Sequence, residues 1–256
     1  MKIIVMKYGF SLKNIWILPL LLAAGYVTSA LPNKTVSHQS VPGNHPPVVK
    51  IITPENGSNV KWDTPIRYKI RVSDEEDGDS RFGEITPSEV FLEVRYEPDP
   101  SKISRDTIRA AQPDPQGLAA IRTSNCVTCH AFDATRIGPS FAAISRKYPA
   151  TKPDIERLSK HIIDGSTGIW GNASMPSHPD LTTQQAKGIV RWIMQNGSNP
   201  DLNYYTGLKG VIRLKRPENY KPDGVFILTA SYTDHGTKDN QERRLRGDDI
   251  LIIHVI

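Results

Sequence analysis

The 256-residue chain has two cysteines, and both lie in Cys126-Val127-Thr128-Cys129-His130. A Cys-x-x-Cys-His run is the attachment signature of a c-type haem, and its spacing follows from the chemistry. Two thiols add across the two vinyl groups of one porphyrin. Two intervening residues set the sulfurs apart by about the distance between those vinyls, and the adjacent histidine then falls under the iron. Other uses of these residues need surroundings that the sequence lacks. A thioredoxin-like dithiol belongs in a βαβ unit, and a zinc site needs a second pair of ligands. A disulfide suits an exported chain, but the motif uses both cysteines. The expectation is one covalent haem c.

An iron held by His130 needs a ligand on its other face. Met175, in Ser174-Met175-Pro176, is the candidate. A core methionine belongs to a periodic apolar stripe, as Met194 does beside Ala186, Ile189, Val190 and Ile193. Met175 has no stripe and is flanked by Gly171, Asn172 and Pro176. His178 is the competing ligand, and its plainer role is a surface histidine. Iron saturated by imidazole and thioether favours outer-sphere electron transfer, and the sulfur raises the potential relative to two imidazoles. A haem sensor or peroxidase would require Met175 to leave the metal.

The elements that position these groups read as helices. Residues 117–126 form a short amphipathic helix leading into the cysteines. Pro153 to Asp164 is a second, stopped by Gly165. Pro179 to Asn196 holds a third, with a capping box from Thr182 and Gln185. On either side the pattern is β. Val48 to Ile52 is β-branched, and Ile66, Tyr68, Ile70 and Val72 alternate with polar residues, as do Val90, Leu92, Val94 and Tyr96. After Asn199 the candidate strands are Gly210 to Lys215, Gly224 to Tyr232 and Asp249 to Ile256.

Residues 117–198 resemble a short bacterial monohaem class I cytochrome c. The stretches that carry the likeness are Cys126–His130, Ile137-Gly138-Pro139-Ser140, Ile163-Asp164-Gly165-Ser166, Gly168-Ile169-Trp170-Gly171 and Met175-Pro176, before a terminal helix with Trp192. The resemblance implies further roles. The carbonyl of Pro139 accepts a hydrogen bond from His130, which fixes the ring and raises its basicity. Trp170 donates its indole N–H to a haem propionate, or else walls the pocket. His161 stands where family members often have a propionate-binding arginine, so the potential is expected to depend on pH. Arg122, Arg136, Arg146 and Lys147 are expected to rim the exposed haem edge and steer an acidic partner.

The segment from Asn44 through Tyr96 resembles the start of PKD-like or cadherin-like modules, with an acidic turn at Asp74–Asp79. Clustered carboxylates can hold Ca²⁺, though a solvated turn is the commoner role. Residues 224–236 resemble the penultimate strand and turn of immunoglobulin-like domains. Three strands alone leave a sheet face uncovered. The expected fold class is therefore α+β, with an all-α cytochrome c domain flanked by or inserted in an immunoglobulin-like β-sandwich. The expected order is a signal peptide at 1–30, a flexible lead-in at 31–45, a β segment at 46–99, a linker at 100–116, the cytochrome domain at 117–198 and a second β segment at 199–256.

The signal rests on Lys2, Lys7 and Lys13, the apolar run Ile15 to Gly25 and the small residues Thr28-Ser29-Ala30. That run is short for a membrane span, so a periplasmic or otherwise exported protein with no span after cleavage is expected. Residues 46–116 carry a net −4 and residues 117–198 a net +4. No basic stripe with interleaved aromatics occurs, which excludes a nucleic-acid footprint. The expected function is an electron carrier rather than an enzyme. The alternative is a docking or carbohydrate-binding protein with the haem as relay, with Tyr204, Tyr205, Trp62 and Tyr96 as candidate stacking aromatics, although core or interface packing is their commoner role. The partner is a redox protein, a quinone-dependent sugar dehydrogenase or a terminal oxidase, because flanks of this kind resemble modules of exported quinone-dependent sugar dehydrogenases.

Overall fold

The structure, a computed structural model, describes residues 43–103, 114–237 and 243–256. The expected leader, most of the lead-in and much of the linker lie outside the described residues.

The first segment supplies β1 (Val48–Thr53), β2 (Asn59–Val60), β3 (Ile66–Asp74), β4 (Gly78–Asp79) and β5 (Phe91–Glu97). The middle supplies α1 (Gln116–Thr123), α2 (Cys126–Cys129), α3 (Phe141–Lys147), α4 (Lys152–Asp164) and α5 (Thr183–Asn196). The last supplies β6 (Leu202–Thr206), β7 (Lys209–Ile212), β8 (Val225–Thr233) and β9 (Arg246–Val255). The class is mixed α+β.

Neither β segment makes a sheet of its own. β3 pairs antiparallel with β1, β4 and β7. The other sheet runs β2-β9-β8-β5-β6, antiparallel apart from β2 against β9. Period-two patterning decides which side chains face inward. Ile66, Tyr68, Ile70 and Val72 of β3 meet Leu92, Val94 and Tyr96 of β5 and Phe226, Leu228, Ala230 and Tyr232 of β8 in one buried core.

The helices enter between neighbouring strands. β5 and β6 are paired, with Phe91 opposite Thr206 and Arg95 opposite Leu202, so residues 98–201 leave the sheet and return beside the strand they left. A compact unit whose ends lie close together is tolerated at such a position. Phe91 and Tyr204, from these two strands, belong to a second core with Leu118, Ile121, Phe132, Phe141 and Trp192.

A buried ion network fastens the helices to the sheet. The Arg122 side chain on α1 is 6% exposed and pairs with Asp114, which also binds Arg246 of β9 at 2.7 Å. Arg122 Nη2 donates to Ser231 Oγ of β8 at 2.8 Å, and its guanidinium lies 3.8 Å from the centre of the Phe91 ring. Burial pulls this guanidinium down to about 10, against the opposing charge of Asp114. Arg122 therefore does not rim the haem edge, contrary to the expectation from sequence.

Other departures are local. The first helix ends at Thr123 rather than 126, because Asn125 adopts a left-handed φ of 55° that redirects the chain before Cys126. The helix expected within Pro179 to Asn196 runs Thr183–Asn196, with Thr182 and Gln185 forming the expected capping box. The elements absent from the sequence reading are α2, α3, β6 and the two-residue strands β2 and β4. The acidic turn is tied into the fold rather than merely solvated, since Asp79 binds Arg71 and Arg81. Asp77 accepts the Tyr232 hydroxyl at 2.7 Å. Tyr96 and Tyr204 are buried, and Trp62 and Tyr205 pack against the β core, so none of the four forms an open sugar-stacking face.

Candidate haem site

α2 is one turn long and carries both thiols, neither in a disulfide. Burial pushes the Cys126 thiol up to about 11. The turn closes through His130 N–H donating to Cys126 O at 3.0 Å, which sets the imidazole beside the two sulfurs.

The His130 ring is held on two sides. Nδ1 lies 2.6 Å from Pro139 O, where it donates, which leaves Nε2 as the free ring nitrogen. The ring stacks on Phe141 at 5.6 Å with 14° between planes. Gly138 makes room for it, since a Cβ there would fall 2.5 Å from His130 Cε1. Burial lowers the His130 pKa, partly offset by the Pro139 carbonyl, with His178 lowering it further. The neutral imidazole this favours is the metal-binding form.

Met175 is fixed by a two-way backbone bridge. Met175 N–H donates to Ser166 O at 2.9 Å, and Ser166 N–H donates to Met175 O at 3.1 Å. His178 N–H then satisfies the Ile162 and Ile163 carbonyls at the end of α4, both at 3.1 Å. The methionine loop thus hangs from α4 at both ends.

These elements enclose a cavity of about 500 Å³. Cys126, Cys129, His130, Pro139, His161, Trp170 and Met175 all line it, as does His178. Much of the remaining wall is apolar, from Ile144, Leu158, Ile162, Ile189 and Ile193. Trp170 lies at the lip, 40% exposed, with the Lys147 ammonium 4.2 Å from its ring centre.

An aromatic wall behind His130 escaped the sequence reading. Phe141 meets Phe132 at 5.1 Å, and Phe132 meets Tyr204 of β6 at 4.9 Å. The Tyr204 hydroxyl donates to Glu93 Oε2 on β5 at 2.9 Å. No local sequence signal marks this chain, because its members come from both the helical and the β segments.

Residues 116–197 match the family model for cytochrome c. Cytochrome c-552 of Hydrogenobacter thermophilus is 33% identical over 86 residues, 30% of this chain and 87% of that protein. Cytochrome c-551 of Azotobacter vinelandii is 33% identical over 78 residues, 30% of this chain and 94% of that protein. The chain belongs to the cytochrome c family. A crystal structure of Nitrosomonas europaea cytochrome c552 aligns over 30% of this chain and 96% of that one, at 28% identity and a TM-score of 0.29.

The cofactor of this cytochrome c is one covalent haem c, and the residues present fit it. Two unbonded thiols, an imidazole with one free nitrogen and a thioether converge on one largely apolar cavity, the donor set that haem iron and its vinyl groups require. The protein is an electron-carrying c-type cytochrome, and that role implies a redox partner. Among the described residues no helix is long and apolar enough to cross a membrane.

Proposed function

We propose that this cytochrome is an exported one-electron carrier whose haem iron is bound by His130 and Met175. The observation behind this reading is that His130, its Nδ1 engaged by Pro139, and Met175, held by its bridge to Ser166, line the same cavity as both cysteines. Bound there, haem c supplies an iron that takes up and releases one electron.

The residues divide the remaining work. Cys126 and Cys129 would form the thioethers. His130 would offer Nε2, and the Pro139 carbonyl keeps the ring from rotating and holds the proton at Nδ1. Met175 would offer its sulfur to the iron. Trp170 and His161 would serve the propionate edge. The apolar wall excludes water and so limits reorganisation between oxidation states. With imidazole and thioether both on the iron, the protein would carry electrons rather than catalyse a reaction.

The β strands on either side form, on this reading, one split immunoglobulin-like sandwich. It presents the haem unit to a partner, an exported quinone-dependent sugar dehydrogenase or a terminal oxidase. The basic, then apolar, N-terminal run would direct export. The test is the purified holoprotein made in a host with haem-maturation machinery. The ferric protein should show the methionine-sulfur charge-transfer band and bind no cyanide at modest concentration. Ready cyanide binding by the wild type would overturn the His/Met assignment.

A further inference from the structure

At the end of the β unit beside the acidic turn, buried oxygen atoms face no donor. Asn44 is 1% exposed. Its Nδ2 donates to Asp234 Oδ2 and to Arg243 O, each at 3.0 Å, while its Oδ1 is buried and has no hydrogen-bond partner among the described residues. Asp74 accepts the N–H groups of Glu76 and Asp77 through Oδ1, at 3.0 and 2.8 Å, and its Oδ2 is likewise buried and unpartnered. Asp234 is fully buried, with the Gly236 and Leu245 N–H groups on Oδ1 at 2.9 and 2.7 Å and, among the described residues, the Asn44 amide alone on Oδ2.

Native folds pair almost all buried polar atoms, so an amide oxygen and a carboxylate oxygen left bare on two residues that both meet Asp234, one by hydrogen bond and one by charge, call for an explanation. Burial raises the Asp74 carboxyl, and the charges of Asp77 and Asp234 raise it further. Burial also raises Asp234, against its own hydrogen bonds. A carboxyl whose ionisation a buried neighbouring carboxylate opposes, that neighbour being bonded to an amide with a bare carbonyl oxygen, is an arrangement that a cation relieves. The donors are all oxygen, which selects a hard ion over a transition metal. Asp77 is taken by Tyr232 and His235. The exposed group His45, Glu75 and Glu76 is a separate cluster, closed by its own ion pairs at 3.1 and 2.8 Å.

We propose that Asn44 Oδ1, Asp74 Oδ2 and the Asp234 carboxylate hold a calcium ion, with water completing its shell. The ion would pin the chain before β1, the β3–β4 turn and the end of β8 to one another. It is structural and independent of the haem, so it adds a metal requirement to the β unit alone.

The experiment dialyses chelator-treated holoprotein against calcium and follows both bound metal and the thermal midpoint. One calcium per chain and a higher midpoint are expected. Asp74→Asn should weaken uptake by about tenfold or more, whereas Glu75→Gln should leave it intact. No uptake by the wild type up to about 10 mM calcium, beyond the range of extracellular modules, would overturn the proposal. So would uptake lost in Glu75→Gln, which would put the ion on the exposed cluster. Should Asp74→Asn fail to fold, the wild type and Glu75→Gln distinguish the same outcomes.

Discussion

The Phe132 and Tyr204 rings lie 4.9 Å apart, and this contact joins the wall behind His130, the proposed haem ligand, to the β sheet. Tyr204 is 8% exposed, and burial beside Glu93 holds its phenol well above the usual range. The His130 side of the cavity therefore leans on a residue outside the stretch matched to the cytochrome c family. Tyr204→Ala should destabilise the protein by about 3–5 kcal/mol, as for other large-to-small aromatic changes in cores. Tyr204→Phe removes the hydroxyl bond to Glu93 and should cost about 1–2 kcal/mol. Urea denaturation followed by Soret absorbance and by far-ultraviolet dichroism checks both, and the two probes should agree.

The Arg122–Asp114–Arg246 network is buried. Removing one partner of such a group leaves an uncompensated charge and typically costs about 3–5 kcal/mol. Arg122→Met should show a loss of that size in chemical denaturation. Adding Asp114→Asn should lower the stability further, because it also breaks the Asp114–Arg246 pair.

Gly138 leaves no space for a side chain against His130. Gly138→Ala must move the ring or the Pro139 carbonyl, at a cost of about 1–3 kcal/mol by analogy with overpacked cores. The expected signature is a shifted midpoint potential as well as a lower melting temperature. A potential equal to that of the wild type would mean the ring had not moved.

His235 has Asp77 on Nδ1 at 3.0 Å and Glu89 on Nε2 at 3.2 Å. Burial disfavours its charge, but the two carboxylates outweigh that and raise its pKa. A raised pKa means that the folded state holds the proton more tightly than the unfolded chain does. This stabilisation is complete below the unfolded value of about 6.5 and is lost as pH rises through the folded value. Unfolding free energy measured from pH 5 upward should fall across that window in the wild type and fall less in His235→Ala.

His161 lines the haem cavity. If it serves the propionate edge, His161→Ala should lower the midpoint potential while leaving the absorption spectrum unchanged, because a propionate without its donor favours the ferric state. Potentiometric titration of both proteins is the measurement.

Much of the site was legible because its signals are local. Cys126, Cys129 and His130 announce one another by spacing. Met175 stood out by lacking an apolar stripe, and Thr182 with Gln185 marked the last helix. Strands β3 and β5 were readable because one face of each is buried and period-two patterning records it. What stayed hidden depends on distant residues. The β5–β6 pairing spans the whole helical unit. Arg122 looks like any surface arginine until Asp114, Ser231 and Phe91 are brought around it. The sequence leaves Tyr204 between packing and sugar stacking, with nothing to say which residues it packs against, and α3 is too short to establish a period.

The most direct test of the account is the red charge-transfer absorption of the ferric holoprotein, compared with that of Met175→Ala and His178→Ala. The band should be present in the wild type, absent in Met175→Ala and retained in His178→Ala. A band that survives in Met175→Ala, or a wild type without one, would contradict the assignment of Met175 to the iron.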